Sequence, residues 1–340
     1  MRTGSSMRPA ARPGRRATVP ARRRLMAFAL AVLCAGLVAV GALGAIRYVS
    51  TFWLYRGFAA PTLPRSVTVY RRGHTLAVPV IPTTVQQITV RSAALGGYPD
   101  TVYVVLPPGY AAHPRAHYPV LYLLHGFPGA PWNFLTIGGV QNVEAELVAA
   151  GRMQPFILVM PSGARSWLAD EEWVNSVQPG NDWATFVARD LVHVIDARYR
   201  TVASSAWRGI AGLSEGGYAA LNIGLHHTGE FRLLESWSGY TRADDIPVLF
   251  GHSRPLLRYN SPADTVGRVA PQLRADRTYI WFYVGTHDYL NGQNRAFAAE
   301  LTRLGIAHDF FTSPGTHNWR LWRAMLPEAL ITASEHLGHG

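Results

Sequence analysis

The chain has little cysteine, no lysine and few acidic residues. Its one cysteine, Cys34, lies in an apolar stretch near the N-terminus of the 340 residues. The rest of the chain therefore has no disulfide, no thiolate nucleophile and no cysteine-ligated metal. All 32 basic residues are arginine, which we interpret as a compositional bias of the genome. Glycine and proline recur without a period, so collagen-like and repeat architectures are excluded.

Most of the positive charge lies at the N-terminus. The formal net charge is +11, but residues 1–47 hold nine arginines and no acid. The remaining residues hold 23 arginines against 21 acids, a net charge of +2. Nucleic-acid binding requires a basic face on the folded domain, and none is visible in this pattern. Nucleic acid is therefore not a predicted partner.

The N-terminal region resembles a targeting segment followed by a membrane segment. Residues 1–24, rich in Arg, Pro and Ser, are predicted to be a disordered basic cytoplasmic tail. Leu25–Ile46 is 22 residues long without a charge, enough to span a hydrocarbon core of roughly 30 Å. Arginines before it predict a cytoplasmic N-terminus and an extracytoplasmic domain. An uncleaved signal anchor is favoured, and the alternative is a signal peptide cleaved near Ala42 or Ala45, which leads to secretion.

After a poorly patterned lead-in, residues 47–85, apolar β-type runs alternate with amphipathic helical patterns. This alternation predicts one α/β domain over 86–340, with a doubly wound, mostly parallel sheet. Residues 240–272 fit the pattern least and are interpreted as an insertion over the sheet edge. The predicted strands are Thr101–Leu106, Pro119–His125, Phe156–Met160, Trp207–Ala211, Leu233–Trp237, Tyr279–Val284 and Asp309–Thr312. The predicted helices are Val140–Ala150, Trp183–Arg198, Glu215–Leu225, Asn294–Leu304 and Trp319–His336.

A G-x-S-x-G motif surrounds Ser214. The β-type run WRGIAG leads directly into it and the helical pattern YAALNIGL follows. This strand–turn–helix setting is typical of a nucleophile elbow, which raises the serine oxygen above the carboxyl edge of a sheet. Gly212 and Gly216 leave room where a side chain would clash. Ser214 is therefore the predicted nucleophile.

A second glycine-rich turn, His125-Gly126-Phe127-Pro128-Gly129, follows an early strand. Acyl transfer requires two backbone N–H groups aimed at the developing oxyanion. One is predicted from Glu215, which follows the nucleophile, and the other from Phe127. Gly126 allows close approach of the backbone. His125 is interpreted as structural.

The acid and the base are predicted in loops that follow later strands. In this motif class the chain order is serine, acid, histidine. Asp288 follows the run YIWFYV, and His317 follows HDFFTS. His287 is the nearest rival base, although it adjoins the acid. The pair His226-His227 suits the end of the elbow helix, where cations are favoured, and no metal or cofactor is predicted.

These residues resemble the esterase family that includes esterase D, the feruloyl esterases and the antigen 85 mycolyltransferases. The matching stretches are YPVLYLLHGFPG, WRGIAGLSEGGYAALNIGL, IWFYVGTHD and SPGTHNWRLW, within roughly residues 86–337. The resemblance implies the α/β-hydrolase fold and a triad of Ser214, Asp288 and His317. It also implies oxyanion donors at Phe127 and Glu215. Glu215 departs from the family, because many relatives have Met there, and so does the membrane segment.

The predicted triad and oxyanion donors together indicate that an acyl-enzyme forms on Ser214. Water as acceptor gives ester hydrolysis, which is favoured, and a sugar or other alcohol gives acyl transfer. A catalytically silent surface binding protein on the same fold is a second alternative. Lipid or cell-envelope esters are the expected substrates. Four tryptophans either line an acyl or sugar site or pack in the core: Trp132, Trp167, Trp173 and Trp319.

Overall fold

The computed structural model describes residues 21–48, 62–71, 73–166 and 169–338. The chain divides into two compact units, Met1–Trp53 and Leu54–Gly340. Most of the predicted disordered tail, and part of the predicted lead-in, lie outside the described residues.

The first unit contains one helix, α1, at Ala21–Tyr48. It starts at Ala21, so the last four residues of the predicted disordered tail, 21–24, are helical. Within α1 the segment Phe28–Ala45 has a mean hydropathy of 2.4 and is 0% buried. By length and composition this helix can cross a membrane, and an N-terminal signal sequence has the same properties.

The second unit is built on β-strands that are mostly apolar and buried on both faces. β5, for example, is buried at every position, VLYLL, as expected for a strand covered by helices on both sides. The strands are β1 Ser66–Arg71, β2 His74–Pro79, β3 Thr84–Arg91, β4 Pro99–Leu106, β5 Val120–Leu124, β6 Ile157–Pro161, β7 Arg208–Leu213, β8 Leu233–Trp237, β9 Tyr279–Gly285 and β10 His308–Ser313.

Eight of these strands form one sheet in the order β10-β9-β8-β7-β5-β6-β4-β3. The pairs from β10 to β6 are parallel, whereas β4 is antiparallel to both β6 and β3. The mostly parallel sheet agrees with the predicted fold class. β3 was not predicted, because Gln86 and Gln87 interrupt its apolar pattern on an exposed edge. β1 and β2 form a separate hairpin inside the predicted lead-in.

Helices cover both faces of the sheet. One face is covered by α3, α4, α5, α8 and α9, and the other face is covered by α2 and α10. A π-helical segment, Phe186–Leu191, joins α3 to α4, so the predicted helix Trp183–Arg198 is continuous. The helices are α2 Val140–Ala149, α3 Trp183–Thr185, α4 Val192–Arg198, α5 Glu215–His226, α6 Pro247–Phe250, α7 Arg254–Tyr259, α8 Pro262–Ala275, α9 Asn291–Arg303 and α10 Trp319–His336.

The predicted insertion at 240–272 differs from the structure. Its second half is α8, the crossover helix between the neighbouring strands β8 and β9. Val266, Ala270 and Leu273 of α8 are buried in the core with α5 and α9. The apolar positions are spaced as one helical face, but Pro271 and several charged residues mask that pattern. The interpretation of this whole segment as an insertion over the sheet edge was therefore wrong.

The strand order reverses between β5 and β7. β5 continues through α2 to β6 on one side, whereas β7 continues through α5 to β8 on the other. Such a switch point opens a crevice at the carboxyl ends of the two strands, where ligands bind in α/β sheets. Both predicted elements of the oxyanion site follow these two strands.

Candidate active site

Ser214 lies in a strained turn between β7 and α5. Its backbone has φ 55° and ψ −119°, a region that costs a non-glycine residue roughly 1–3 kcal/mol. Its N–H donates to the Trp237 carbonyl at 2.9 Å. A Cβ placed on Gly216 would lie 2.0 Å from the Leu124 oxygen, and one on Gly212 would lie 2.3 Å from the Gly216 oxygen. The turn therefore requires glycine at both positions.

A short hydrogen-bonded series runs from the serine to a buried carboxylate. Ser214 Oγ lies 2.7 Å from His317 Nε2, and His317 Nδ1 lies 2.9 Å from Asp288 Oδ2. The other carboxylate oxygen, Oδ1, accepts a hydrogen bond from the Leu290 N–H at 3.0 Å. The Asp288 side chain is fully buried and that of His317 is 13% exposed. The structure thus brings together the three residues predicted as nucleophile, base and acid.

The loops that carry the acid and the base are joined directly. The Thr286 N–H donates to the Ser313 carbonyl at 2.9 Å, and the His287 N–H donates to the Gly315 carbonyl at 3.0 Å. Gly315 has φ 150°, a conformation that favours glycine. These backbone bonds set the Asp288 and His317 loops at a constant separation, which the side-chain contact requires.

The His317 ring lies between two aromatic side chains. Trp322 contacts it edge-on with ring centres 5.1 Å apart, and Tyr289 lies at the same distance. Trp322 is buried, whereas Tyr289 is 73% exposed. Neither residue was singled out from the sequence. The only signal was the spacing of Trp319 and Trp322 on one face of α10.

The two predicted oxyanion segments lie against each other. A Cβ on Gly126 would lie 2.9 Å from both the Leu213 oxygen and the Ser214 Cβ, so the turn after β5 touches the elbow. Glu215 is the first residue of α5, and its N–H has no partner within the helix. The Phe127 N–H makes no hydrogen bond to a backbone carbonyl in the described part of the chain. Both N–H groups are thus available beside Ser214.

The Glu215 side chain is buried rather than exposed. It is 7% exposed, and the backbone N–H of Glu172 lies beside its carboxyl group. Burial raises the pKa of Glu215 well above its usual range, and the nearby charge of Glu172 raises it further. The sequence flagged Glu215 as a departure from its family, but it gave no sign of Glu172.

The remaining candidate histidines make no hydrogen bond to Ser214 in the part of the chain that the structure describes. His287 is exposed, with its ring Nδ1 3.1 Å from its neighbour's hydroxyl oxygen, Thr286 Oγ1. His125 is buried, and burial lowers its pKa. His226 contacts the Tyr259 carbonyl through Nε2 at 2.8 Å.

The four predicted tryptophans have different environments. Trp173 is 0% exposed and Trp319 is 7% exposed, so both pack in the interior. Trp132 is 43% exposed and can meet a ligand. Trp167 lies outside the described residues.

Residues 92–333 match the family described as Putative esterase. The chain belongs to this esterase family. Esterase Rv1288 of Mycobacterium tuberculosis (strain ATCC 25618 / H37Rv) is 30% identical over 262 residues, which cover 68% of this chain and 55% of its own. The chain thus spans about half the length of the curated relatives it matches. The resemblance inferred from the motifs is confirmed.

Solved structures support the same fold. A ferulic acid esterase superposes with a TM-score of 0.67 at 25% identity, covering 76% of this chain and 100% of its own. An S-formylglutathione hydrolase from Agrobacterium tumefaciens superposes with a TM-score of 0.63 at 16% identity, covering 76% and 97%. The chain therefore has an α/β-hydrolase fold.

Proposed function

We propose that this chain is a serine hydrolase of carboxylic esters. Ser214 is the nucleophile, His317 the base and Asp288 the acid that orients it. The observation that carries the proposal is the unbroken series from Ser214 Oγ through His317 to Asp288, with bonds of 2.7 and 2.9 Å. The strained backbone of Ser214 supports it, because strain of this kind occurs at functional sites.

The proposed reaction follows from which atoms can take and give protons. His317 Nε2 accepts the Ser214 proton as Oγ attacks the ester carbonyl, and Asp288 holds the other ring nitrogen as a donor. The N–H groups of Phe127 and Glu215 stabilise the oxyanion. The imidazolium then protonates the leaving alcohol, and an acyl-enzyme remains. Water then attacks the acyl-enzyme in the same way, which releases the carboxylic acid and restores the Ser214 hydroxyl.

A fluorophosphonate probe tests the nucleophile directly. The probe is expected to label the purified protein, and peptide mapping is expected to place the label on Ser214. The variant Ser214→Ala is the matched control and should remain unlabelled. A folded wild-type protein that resists the probe and turns over no p-nitrophenyl ester would support the alternative, a binding protein on the same fold.

For the substrate, the proposal is an ester with an apolar acyl group, from a lipid or the cell envelope. Partly exposed aromatic side chains in the segments that follow β5 and β9 support it: Phe127 is 37%, Trp132 43% and Tyr289 73% exposed. An aromatic acyl group is the variant that the ferulic acid esterase relationship suggests. A p-nitrophenyl ester series of increasing chain length, run beside methyl ferulate, separates the two. Added glycerol tests transfer against hydrolysis.

For the location, the proposal is a catalytic domain outside the cytoplasm, anchored by α1 or secreted after cleavage. The apolar segment Phe28–Ala45 and the arginines before it support this. Protease added to intact spheroplasts is expected to digest an anchored domain, and N-terminal sequencing of the mature protein detects cleavage. A domain protected until lysis would contradict this topology.

A further inference from the structure

A second buried glutamate, Glu172, meets Glu215 beside the proposed oxyanion site. Glu215 is 7% exposed and Glu172 is 3% exposed. The Glu172 backbone N–H lies beside the Glu215 carboxyl group, and the Tyr240 hydroxyl donates to the Glu172 carboxyl group. In the described part of the chain, no arginine or histidine nitrogen lies within 4 Å of either carboxyl group. Two buried acids thus share a site without a cation.

The loop that carries Glu172 also contacts the other oxyanion segment. The next residue, Trp173, donates from its indole Nε1 to the His125 carbonyl at 3.2 Å, immediately before Gly126 and Phe127. Its ring occupies space left by Gly163, where a Cβ would lie 2.0 Å from it. One loop therefore contacts both segments that carry the proposed oxyanion donors.

The backbone of this loop is strained. Glu172 has φ 50° and Trp173 has φ 54°, and each such non-glycine residue costs roughly 1–3 kcal/mol. The conformation persists because packing holds it: Trp173 is 0% exposed, and Tyr240 stacks on Tyr218 with ring centres 4.5 Å apart. This strained conformation brings the Glu172 backbone N–H beside the Glu215 carboxyl group.

The surroundings favour neutral acids. Burial raises the pKa of Glu215 well above its usual range, and burial raises the pKa of Glu172 to about 8. A negative charge on Glu215 would oppose the negative charge that develops on the substrate oxygen. The groups that face the pair are acids and phenols: Asp170, Glu171, Asp244, Tyr218 and Tyr240.

We propose that Glu172 is a positioning residue that holds Glu215 as a neutral carboxylic acid beside the oxyanion site, so that loss of the Glu215 proton to solvent stops ester turnover at alkaline pH. The inference rests on the proposed function at Ser214. It explains how an acidic residue is tolerated next to the nucleophile. Only the backbone N–H of Glu215 touches the reacting oxygen, and the side chain acts through its charge.

The test is the pH profile of kcat/KM for p-nitrophenyl acetate, with Ser214→Ala as the blank. Wild type is expected to lose activity about tenfold per pH unit above a single alkaline midpoint, as one proton is lost. Glu215→Gln should lack this decline. Glu172→Gln should move the midpoint to lower pH, because the Glu172 charge no longer opposes ionisation of Glu215. Glu144→Gln, a buried carboxyl in α2, is the matched control and should follow the wild-type profile.

Unfolding at high pH must be separated from titration. Each protein is kept near neutral pH, transferred to the assay pH for the rate measurement, and returned to show that activity recovers. A second readout is the infrared band of protonated carboxyl groups, which Glu215→Gln is expected to weaken at neutral pH. This band tests whether the Glu215 carboxyl group is protonated, even if a variant has no turnover.

Two results would overturn the inference: an alkaline decline in Glu215→Gln at the wild-type midpoint, or a wild-type profile that stays flat to about pH 10. Absence of turnover and of fluorophosphonate labelling at every pH would instead refute the proposed esterase function. The two failures are therefore distinguishable.

Discussion

Asp288, at the carboxyl edge of the sheet, and the buried acids in the body of the domain differ in their hydrogen-bond partners. At the edge, both oxygens of Asp288 accept hydrogen bonds, at 2.9 and 3.0 Å. In the body, Glu144 accepts one bond, from the Phe156 N–H at 2.9 Å, and its other oxygen has no partner among the described residues. Glu235 in β8 likewise has one donor, Trp237 Nε1 at 3.0 Å, and its other oxygen is unpaired within the part of the chain that the structure describes. An acid with few donors is buried more easily as the neutral form.

Backbone strain follows the same division. Several of the non-glycine residues with positive φ lie near the edge, namely Glu172, Trp173, Ser214 and Ser238. The strands beneath them are almost entirely buried and regular. Packing in the body thus holds strained conformations at the edge. Substitutions at the edge should mainly change activity, and substitutions in the body should mainly change stability.

The largest expected effect is at the edge, in Ser214→Ala. Ester turnover should fall by about 10⁴-fold or more, because no acyl-enzyme can form. Circular dichroism and the urea midpoint should remain close to wild type. Ser204→Ala, at an exposed position, is the control and should keep full activity. Residual turnover in pure, folded Ser214→Ala would contradict the nucleophile assignment.

The next effect tests whether the edge residues act as one unit. His317→Ala removes the proposed proton acceptor, and Asp288→Asn should lower kcat by up to about 10⁴-fold through the wrong imidazole tautomer. The kcat of the double variant should be little lower than that of His317→Ala, because Asp288 has no imidazole left to orient. Steady-state kinetics of the two single variants and the double variant complete the double-mutant cycle. Multiplicative losses would mean that the two residues act independently, and the acid would have to be sought elsewhere.

Trp173→Phe lies where the edge meets the body and should affect both properties. It removes the donor to the His125 carbonyl, so the unfolding free energy should fall by about 1 kcal/mol. Displacement of the adjacent Phe127 N–H should lower kcat by roughly tenfold. KM should change little, because Trp173 is buried. Trp132→Phe, at an exposed position, should instead change KM and leave kcat nearly unchanged. An unchanged kcat in Trp173→Phe would show that Trp173 has a purely structural role.

The smallest expected effect on activity is in the body, at Glu144. Burial raises the pKa of Glu144 to about 8, so the folded state keeps a proton that the unfolded state loses. This contribution to stability is complete below roughly pH 4 and decreases as pH rises towards about 8, by at most about 1.4 kcal/mol per pH unit.

Glu144→Gln should therefore reduce the pH dependence of the unfolding free energy. Relative to wild type, the variant should be more stable at high pH than at low pH. Urea unfolding at several pH values measures this. Glu146→Gln, a less buried position on the same helix, is the control. A parallel pH dependence in wild type and Glu144→Gln would show that Glu144 ionises without penalty.

Much of this architecture follows from local pattern. Near-continuous apolar runs separated by amphipathic helices predict a parallel sheet, and predicted helix ends lie within three residues of those observed. Ser214, Asp288 and His317 each follow a strand in the expected chain order. Short motifs indicate the type and position of these residues, because a turn at the carboxyl end of a strand needs specific residues such as Gly212 and Gly216.

The structure alone decided what meets around those motifs. Glu172 is 43 positions from Glu215 in the sequence, and its strained loop has no motif that indicates the contact. α8 was hidden because its charged residues and Pro271 mask its apolar face. Tyr289 reaches the His317 ring across the two joined loops that follow β9 and β10. Local patterns determine which elements form, but long-range contacts depend on how those elements pack, and packing determined the surroundings of Ser214.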